Sequence, residues 1–233
     1  MQPDLRMTTW TLVIILLAVS MALVKGSRLN VKAAITSTTI SVAIGLALVR
    51  LVGELNLVEF NASYFGSTYL SDYPLTLILL LPIFSFGFLA SYQRLSNRSH
   101  VRDMDSMAKS VVWFVIITSG IFLYYLNTFL LSTIAFAISL ITFLLVFISR
   151  NQSWRAELLL SILAWMIPAM VIKVVIEHYL INDVLVWYDM EQSSGIDLLG
   201  FPLEEAYGIS AFLAILVLLY NRSKSSRQAL DSI

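Results

Sequence analysis

Seven apolar runs, each separated from the next by a short polar segment, organise the chain. They cover about Thr9–Val24, Ala33–Gly53, Pro74–Tyr92, Lys109–Leu126, Thr128–Ser149, Glu157–Leu180 and Pro202–Tyr220. Each is close to the roughly 20 apolar residues that a helix needs to cross a bilayer. The fourth and fifth part only around Asn127; fused, they would make a run of about 40 residues, too long for one crossing. The pattern therefore predicts an all-α integral membrane protein with seven transmembrane helices.

Composition supports this and narrows the function. Of 233 residues, 58% are hydrophobic and 13% charged, against about 45–50% and 25% in soluble domains. This excludes an ordinary globular enzyme, a disordered chain and a nucleic-acid binder. Net charge is zero, so bulk electrostatics select no partner. With no cysteine there is no disulfide, thiolate metal site or cysteine nucleophile, and two histidines do not suggest a histidine metal centre.

Charge placement gives orientation. Twelve of the fifteen basic residues fall after the first, third, fifth and seventh runs: Lys25, Arg28 and Lys32; Arg94, Arg98, Arg102 and Lys109; Arg150 and Arg155; Arg222, Lys224 and Arg227. The positive-inside rule then places the N-terminus outside and the C-terminus in the cytoplasm of a multi-pass protein of the plasma membrane. Asp4 and Arg6 leave the region before the first run without net positive charge, which argues against a signal peptide.

The chain also resembles itself. Pro74-Leu75 recurs as Pro202-Leu203, and Tyr92 and Arg94 recur as Tyr220 and Arg222, at an offset of 128. Arg50 and Glu54 recur as Lys173 and Glu177, and Ser27-Arg28 as Ser149-Arg150, at slightly smaller offsets. Spans 1–3 then match spans 5–7, and equivalent spans run in the same direction. The expected organisation is one membrane domain, 1–233: a first three-span repeat (1–105), a linking span (106–127) and a second repeat (128–233). Parallel repeats of this kind share a cleft about an axis along the membrane normal. Each repeat carries an outer loop of about 20 residues before its last span, rich in aromatics and acids. An interfacial aromatic belt explains such residues without function, but not the length of loops so apolar.

Candidate chemistry concentrates at Pro202-Leu203-Glu204-Glu205, where span 7 opens. Proline at the first helical position and acids in the first turn also suit a plain helix start. Yet Ala206–Leu219 follows without a charge, and ionisable groups against an apolar layer usually face a bundle interior or cavity. Adjacent residues leave a helix about 100° apart, so the two glutamates are not equivalent. Arg50 with Glu54 and Lys173 with Glu177 have i,i+4 spacing and read as structural ion pairs at the ends of spans 2 and 6. Asp189, Glu191 and Asp197 read as solvated loop acids. Pro82 and Pro168 lie inside spans. The nine glycines form no dinucleotide motif, no Walker motif is present, and span 7 has no lysine for a retinal Schiff base.

The segment Asp183-Val-Leu-Val-Trp187-Tyr188, then Gly195-Ile196-Asp-Leu-Leu-Gly-Phe-Pro202-Leu-Glu-Glu205, resembles the membrane-embedded lycopene cyclase domain family. The family pattern has an acid, a Trp followed by an aromatic, a Gly-Ile step, and Pro-x-Glu-Glu opening a helix. The doubled three-span layout extends the resemblance to a fused two-repeat carotenoid cyclase. Two departures stand out: Ala206-Tyr207-Gly208 follows the motif, and the first repeat reads Pro74-Leu-Thr76-Leu77 without carboxylates.

The resemblance implies an isomerase (intramolecular lyase) that cyclises a polyene end group with no cofactor and no metal. Such chemistry needs an acid to protonate a double bond, shelter for the carbocation, and a base to take a proton back. Burial favours the protonated form of a carboxyl, and aromatic faces stabilise cations. The expected acid/base is Glu204 or Glu205. Glu54, Glu59, Asp72 and Asp183 are possible partner acids, and Trp187, Tyr188 and Tyr207 are candidates for lining the substrate and stabilising the cation. The expected partners are an apolar polyene or isoprenoid from the bilayer, and lipid; nucleic acid is excluded, and a homo-oligomer is compatible. Two alternatives stay open: a transmembrane terpene or meroterpenoid cyclase or other carotenoid-modifying enzyme, and a non-enzymatic seven-helix sensor or carotenoid-binding protein.

Overall fold

The apolar runs all become helices. The structure, a computed structural model, describes residues 6–61, 69–70, 73–96, 104–149, 154–177, 186–198 and 201–230. Its helices are α1 (Arg6–Lys25), α2 (Val31–Glu54), α3 (Leu75–Ser96), α4 (Asp105–Tyr125), α5 (Leu130–Ile148), α6 (Arg155–Val175) and α7 (Leu203–Leu230). Of the seven expected spans, six (within α2 to α7) are long and apolar enough to cross a membrane, while α1 contributes a shorter apolar helix, Val13–Lys25, among the described residues. This marks an integral membrane protein. Its surface agrees: Ile14, Phe114, Ile117, Ile141, Leu145, Ile167 and Val171 are all exposed, which suits lipid and would be costly in water.

Two boundaries differ from expectation. Helix α7 continues about ten residues beyond Tyr220, through a polar stretch ending at Leu230, because Arg, Lys, Gln and Ala there are good helix formers. Helix α6 ends at Val175 and passes into a π turn at Ile176–Glu177. Pro82 and Pro168 lie inside α3 and α6.

Packing follows small side chains, as expected where lipid removes the hydrophobic drive between helices. Helix α1 packs chiefly on α3, α5 on α4 and α7, and α2 on α7. One face of α2 is buried through Ala33, Ala34, Ser37, Thr38 and Ser41. A Cβ on Gly87 of α3 would sit 2.6 Å from the Trp165 ring of α6 and against Ser20 of α1. The central core holds Phe88, Val112, Phe143, Leu158, Leu213 and Val217.

Arg155, read as a loop charge, is buried instead. Its guanidinium donates to the carbonyls of Val146 (3.3 Å), Phe147 (2.6 Å) and Ser149 (3.2 Å). It thereby satisfies the free carbonyls at the end of α5 and fixes the tight turn into α6.

At one end of the bundle, short strands organise the loops, a feature the apolar pattern did not predict. β1 (Val58–Phe60) pairs antiparallel with β4 (Val186–Tyr188), with Glu59 opposite Trp187. β2 (Tyr69–Leu70) pairs with β3 (Tyr73–Pro74), and β5 (Asp197–Leu198) with β6 (Phe201–Pro202). At the other end, Tyr92 and Tyr220 meet edge to face, centroids 6.3 Å apart. The Tyr220 hydroxyl donates to Gln93 (2.9 Å), and the Asn221 amide donates to the Tyr92 hydroxyl (3.0 Å).

Candidate active site

The site is assembled where α7 begins. The Leu203 amide donates to the Ile196 carbonyl (2.9 Å), tying the helix start to the preceding loop. Gly195 turns that loop at φ +66°, a left-handed conformation that favours glycine. Gln192 holds the loop to the start of α5: its carbonyl accepts from the Leu131 amide (3.0 Å), and its side-chain oxygen from the Leu130 amide (3.3 Å). The free N–H groups of two helix starts thus lie beside one loop.

Glu204 is buried there. Its Oε1 accepts from the Ser132 hydroxyl (2.5 Å) and the Ser194 amide (2.6 Å). Ser132 is wholly buried in the first turn of α5. Glu205 points elsewhere, as its place on the helix requires. Its Oε2 accepts from the Lys173 ammonium (2.6 Å) and the Tyr188 hydroxyl (2.6 Å). Lys173 also sits over the rings of Phe201 (5.0 Å) and Tyr188 (5.5 Å), so α6, α7, β4 and β6 converge on one ammonium. The Tyr188 phenol is pushed well above its ordinary pKa, first by burial and then by the adjacent Glu205 carboxylate. It therefore stays a neutral donor.

A cavity of about 150 Å³ adjoins these groups, lined in part by Lys173, Glu177, Tyr188, Ser193, Pro202 and Glu204. One turn further along α7, the Tyr207 hydroxyl lies 2.8 Å from the Thr118 hydroxyl of α4. Its ring meets Phe136 and Phe122 edge to face, at 5.0 and 6.0 Å. Helix α4 is thus part of the wall around α7.

The structure gathers Glu204, Glu205, Lys173, Glu177 and Tyr188 at one place, with Tyr207 below. Lys173 also bonds across to Glu205 of α7, and Glu177 lines the same cavity. Arg50 and Glu54 do pair, at 2.7 Å on the exposed end of α2. Glu59 is exposed on β1. Trp187 is 44% exposed and leaves β4 on the face opposite Tyr188, away from the cavity. Asp72 and Asp183 lie outside the described residues, as do Arg98, Arg102 and Arg150. Among the described residues, no group of three or more His, Cys, Asp or Glu is placed to hold a metal. Ser132, Ser194 and Thr118 were missed. The available signal was only that a hydroxyl in an apolar span must find a partner.

Residues 127–222 match the family model described as lycopene cyclase. No curated protein and no solved structure matches the chain. The matched segment spans α5, α6, β4 to β6 and α7 as far as Arg222. It contains both glutamates, Ser132, Lys173 and Tyr188. Thr118 and Phe122 of the wall lie before it.

Proposed function

We propose that the protein is a carotenoid cyclase that closes a ring on a lycopene-type polyene end group, without redox change and without cofactor or metal. One observation carries the reading. Two adjacent carboxyls at the start of α7 sit in different settings beside one cavity, inside the segment that matches the lycopene cyclase family. The different partners give the two carboxyls different parts to play at one site. In this scheme Glu204 protonates the terminal double bond, the ring closes onto the resulting cation, and a carboxylate removes a proton from carbon. The product is an isomer of the substrate. Lys173 and Tyr188 both donate to Glu205, and the Tyr207, Phe122 and Phe136 rings face positive charge favourably.

The same proposal covers architecture. The two three-helix repeats lie parallel about an axis normal to the membrane, with the N-terminus outside and the C-terminus in the cytoplasm of the plasma membrane. Residues at offset 128 support it by meeting reciprocally: Val58 faces Tyr188 while Phe60 faces Val186, and Tyr92 bonds Asn221 while Tyr220 bonds Gln93. Reciprocity of this kind is the mark of a two-fold relation.

The test is expression in cells that accumulate lycopene, followed by pigment chromatography. Cyclised product is expected with the wild type and none with Glu204→Gln. Unchanged lycopene with well-inserted wild-type protein overturns the reading. Purified protein in detergent, dialysed against a chelator, is expected to retain its activity. Strict dependence on an added reduced cofactor would place the protein in another enzyme class.

A further inference from the structure

We infer that Ser132 is a positioning residue that, with the Ser194 amide, commits Oε1 of Glu204 as an acceptor and leaves the exchangeable proton to Oε2. The inference rests on the cyclase reading and deepens it. A main-chain N–H only donates. The oxygen that faces the Ser194 amide at 2.6 Å therefore accepts in either protonation state of the carboxyl. The Ser132 hydroxyl, at 2.5 Å from the same oxygen, adds a second donor. Glu204 lines the cavity, and the proton that leaves or returns is the one on its other oxygen.

Ser132 departs from the habit of serines in these helices. Ser37, Ser85, Ser91, Ser110 and Ser161 each donate to the carbonyl four residues back, the usual outlet for a hydroxyl inside a helix. Ser132 lies in the first turn of α5, where its neighbour Thr133 still donates to the carbonyl four back (2.9 Å), yet its own hydroxyl is directed at α7. The anchor is itself anchored: Gln192 fixes the loop carrying Ser194 to the amides of Leu130 and Leu131, the two residues before Ser132. One start of helix α5 thus sets the Ser132 hydroxyl and the Ser194 amide against Glu204.

The test compares wild type, Ser132→Ala and Ser132→Thr as purified full-length protein, with lycopene as substrate. Loss of a hydrogen bond to the carboxylate that forms as the proton leaves is expected to lower kcat roughly ten- to a hundred-fold with KM little changed. Ser132→Thr, which keeps the hydroxyl, is expected to restore most of it. In parallel, isotope-edited infrared spectra of carboxyl-labelled glutamate, with Glu204→Gln as the blank, read the Glu204 band without any turnover. That band should move in Ser132→Ala and return in Ser132→Thr. A Glu204 band unmoved in Ser132→Ala, or kcat unchanged in an active preparation, overturns the inference. If the wild type does not cyclise lycopene, the cyclase reading fails, and the infrared comparison still decides whether Ser132 holds Glu204. Should Ser132→Ala not fold, Ser132→Thr decides: a wild-type band supports the inference, and a displaced band overturns it.

Discussion

Glu204 and Glu205 differ by one residue and by almost everything else, and the difference is measurable. Glu204→Gln keeps size and the bonds to Ser132 and Ser194 but has no acidic proton, so turnover should fall about 10²–10⁴-fold with folding intact. Glu205→Gln should instead act on stability as well, because it leaves Lys173 without its carboxylate between two aromatic rings. Breaking a buried pair costs about 3–5 kcal/mol. With Lys173 and Glu205 side chains 12% and 21% exposed, about 1–3 kcal/mol is expected. Melting in detergent should show this, and Lys173→Met together with Glu205→Gln should recover most of it. Near-normal turnover in both single variants would reduce the motif to a helix start. Tyr188 gives a pH signature. Its phenol pKa is raised in the folded protein, so its contribution to stability is complete below the ordinary phenol value of about 10 and is lost as pH rises through the folded value. The melting temperature of the wild type should therefore fall more steeply above about pH 10 than that of Tyr188→Phe; equal slopes would contradict the assigned environment. Of these residues the glutamates, Lys173 and Tyr188 were legible as a polar set in an apolar chain. The bond from Lys173 to Glu205 was not, because i,i+4 spacing is local information and that bond depends on how α6 and α7 pack.

Helix positions were legible because a bilayer-length apolar run has few alternatives. The strands were not: β1 and β4 are three residues each and pair across more than a hundred residues, which no short-range alternation reveals. Nor was the role of α4, whose Thr118 and Phe122 read as ordinary span residues until α7 is placed beside them. Close approach was equally hidden, since nine glycines look alike in sequence. Gly87 and Gly120 now separate. At Gly87 a methyl group would enter the Trp165 ring, which is held by its indole bond to Ser91 (2.9 Å) and by an edge contact with Phe84 (4.9 Å). Gly87→Ala should therefore cost about 1–3 kcal/mol through overpacking. At Gly120 a Cβ meets nothing within 4 Å, so Gly120→Ala in α4 should be neutral, or stabilising by up to about 1 kcal/mol from helix propensity. Thermal melts of the two variants in the same detergent check the contrast. A tolerant Gly87 would mean that α1, α3 and α6 do not meet as described.

For the molecule as a whole, orientation decides which side of the membrane holds the acid site, and charge makes a definite prediction. The basic residues cluster at the bundle end that carries Lys25, Arg28, Lys32, Arg94 and Arg222, where Tyr92 and Tyr220 meet. The strands, Glu204 and Glu205 lie at the opposite end. Basic residues near span ends are retained in the cytoplasm, so the acid site is expected to face outward and the Tyr92–Tyr220 contact inward. An odd number of spans then separates the termini, and two three-helix repeats run parallel only if a seventh helix joins them. In the proposed arrangement α4, between α3 and α5, is that connector, which makes the count and the repeat one claim. Reporter fusions after Arg98, Arg150 and Arg222 should all read as cytoplasmic, and a fusion after Glu59 should read as external. A cytoplasmic signal after Glu59 would invert the molecule. An external signal after Arg98 or Arg150 alone would remove a span from one half, leaving equivalent helices antiparallel. The reciprocal contacts at offset 128 would then need another origin.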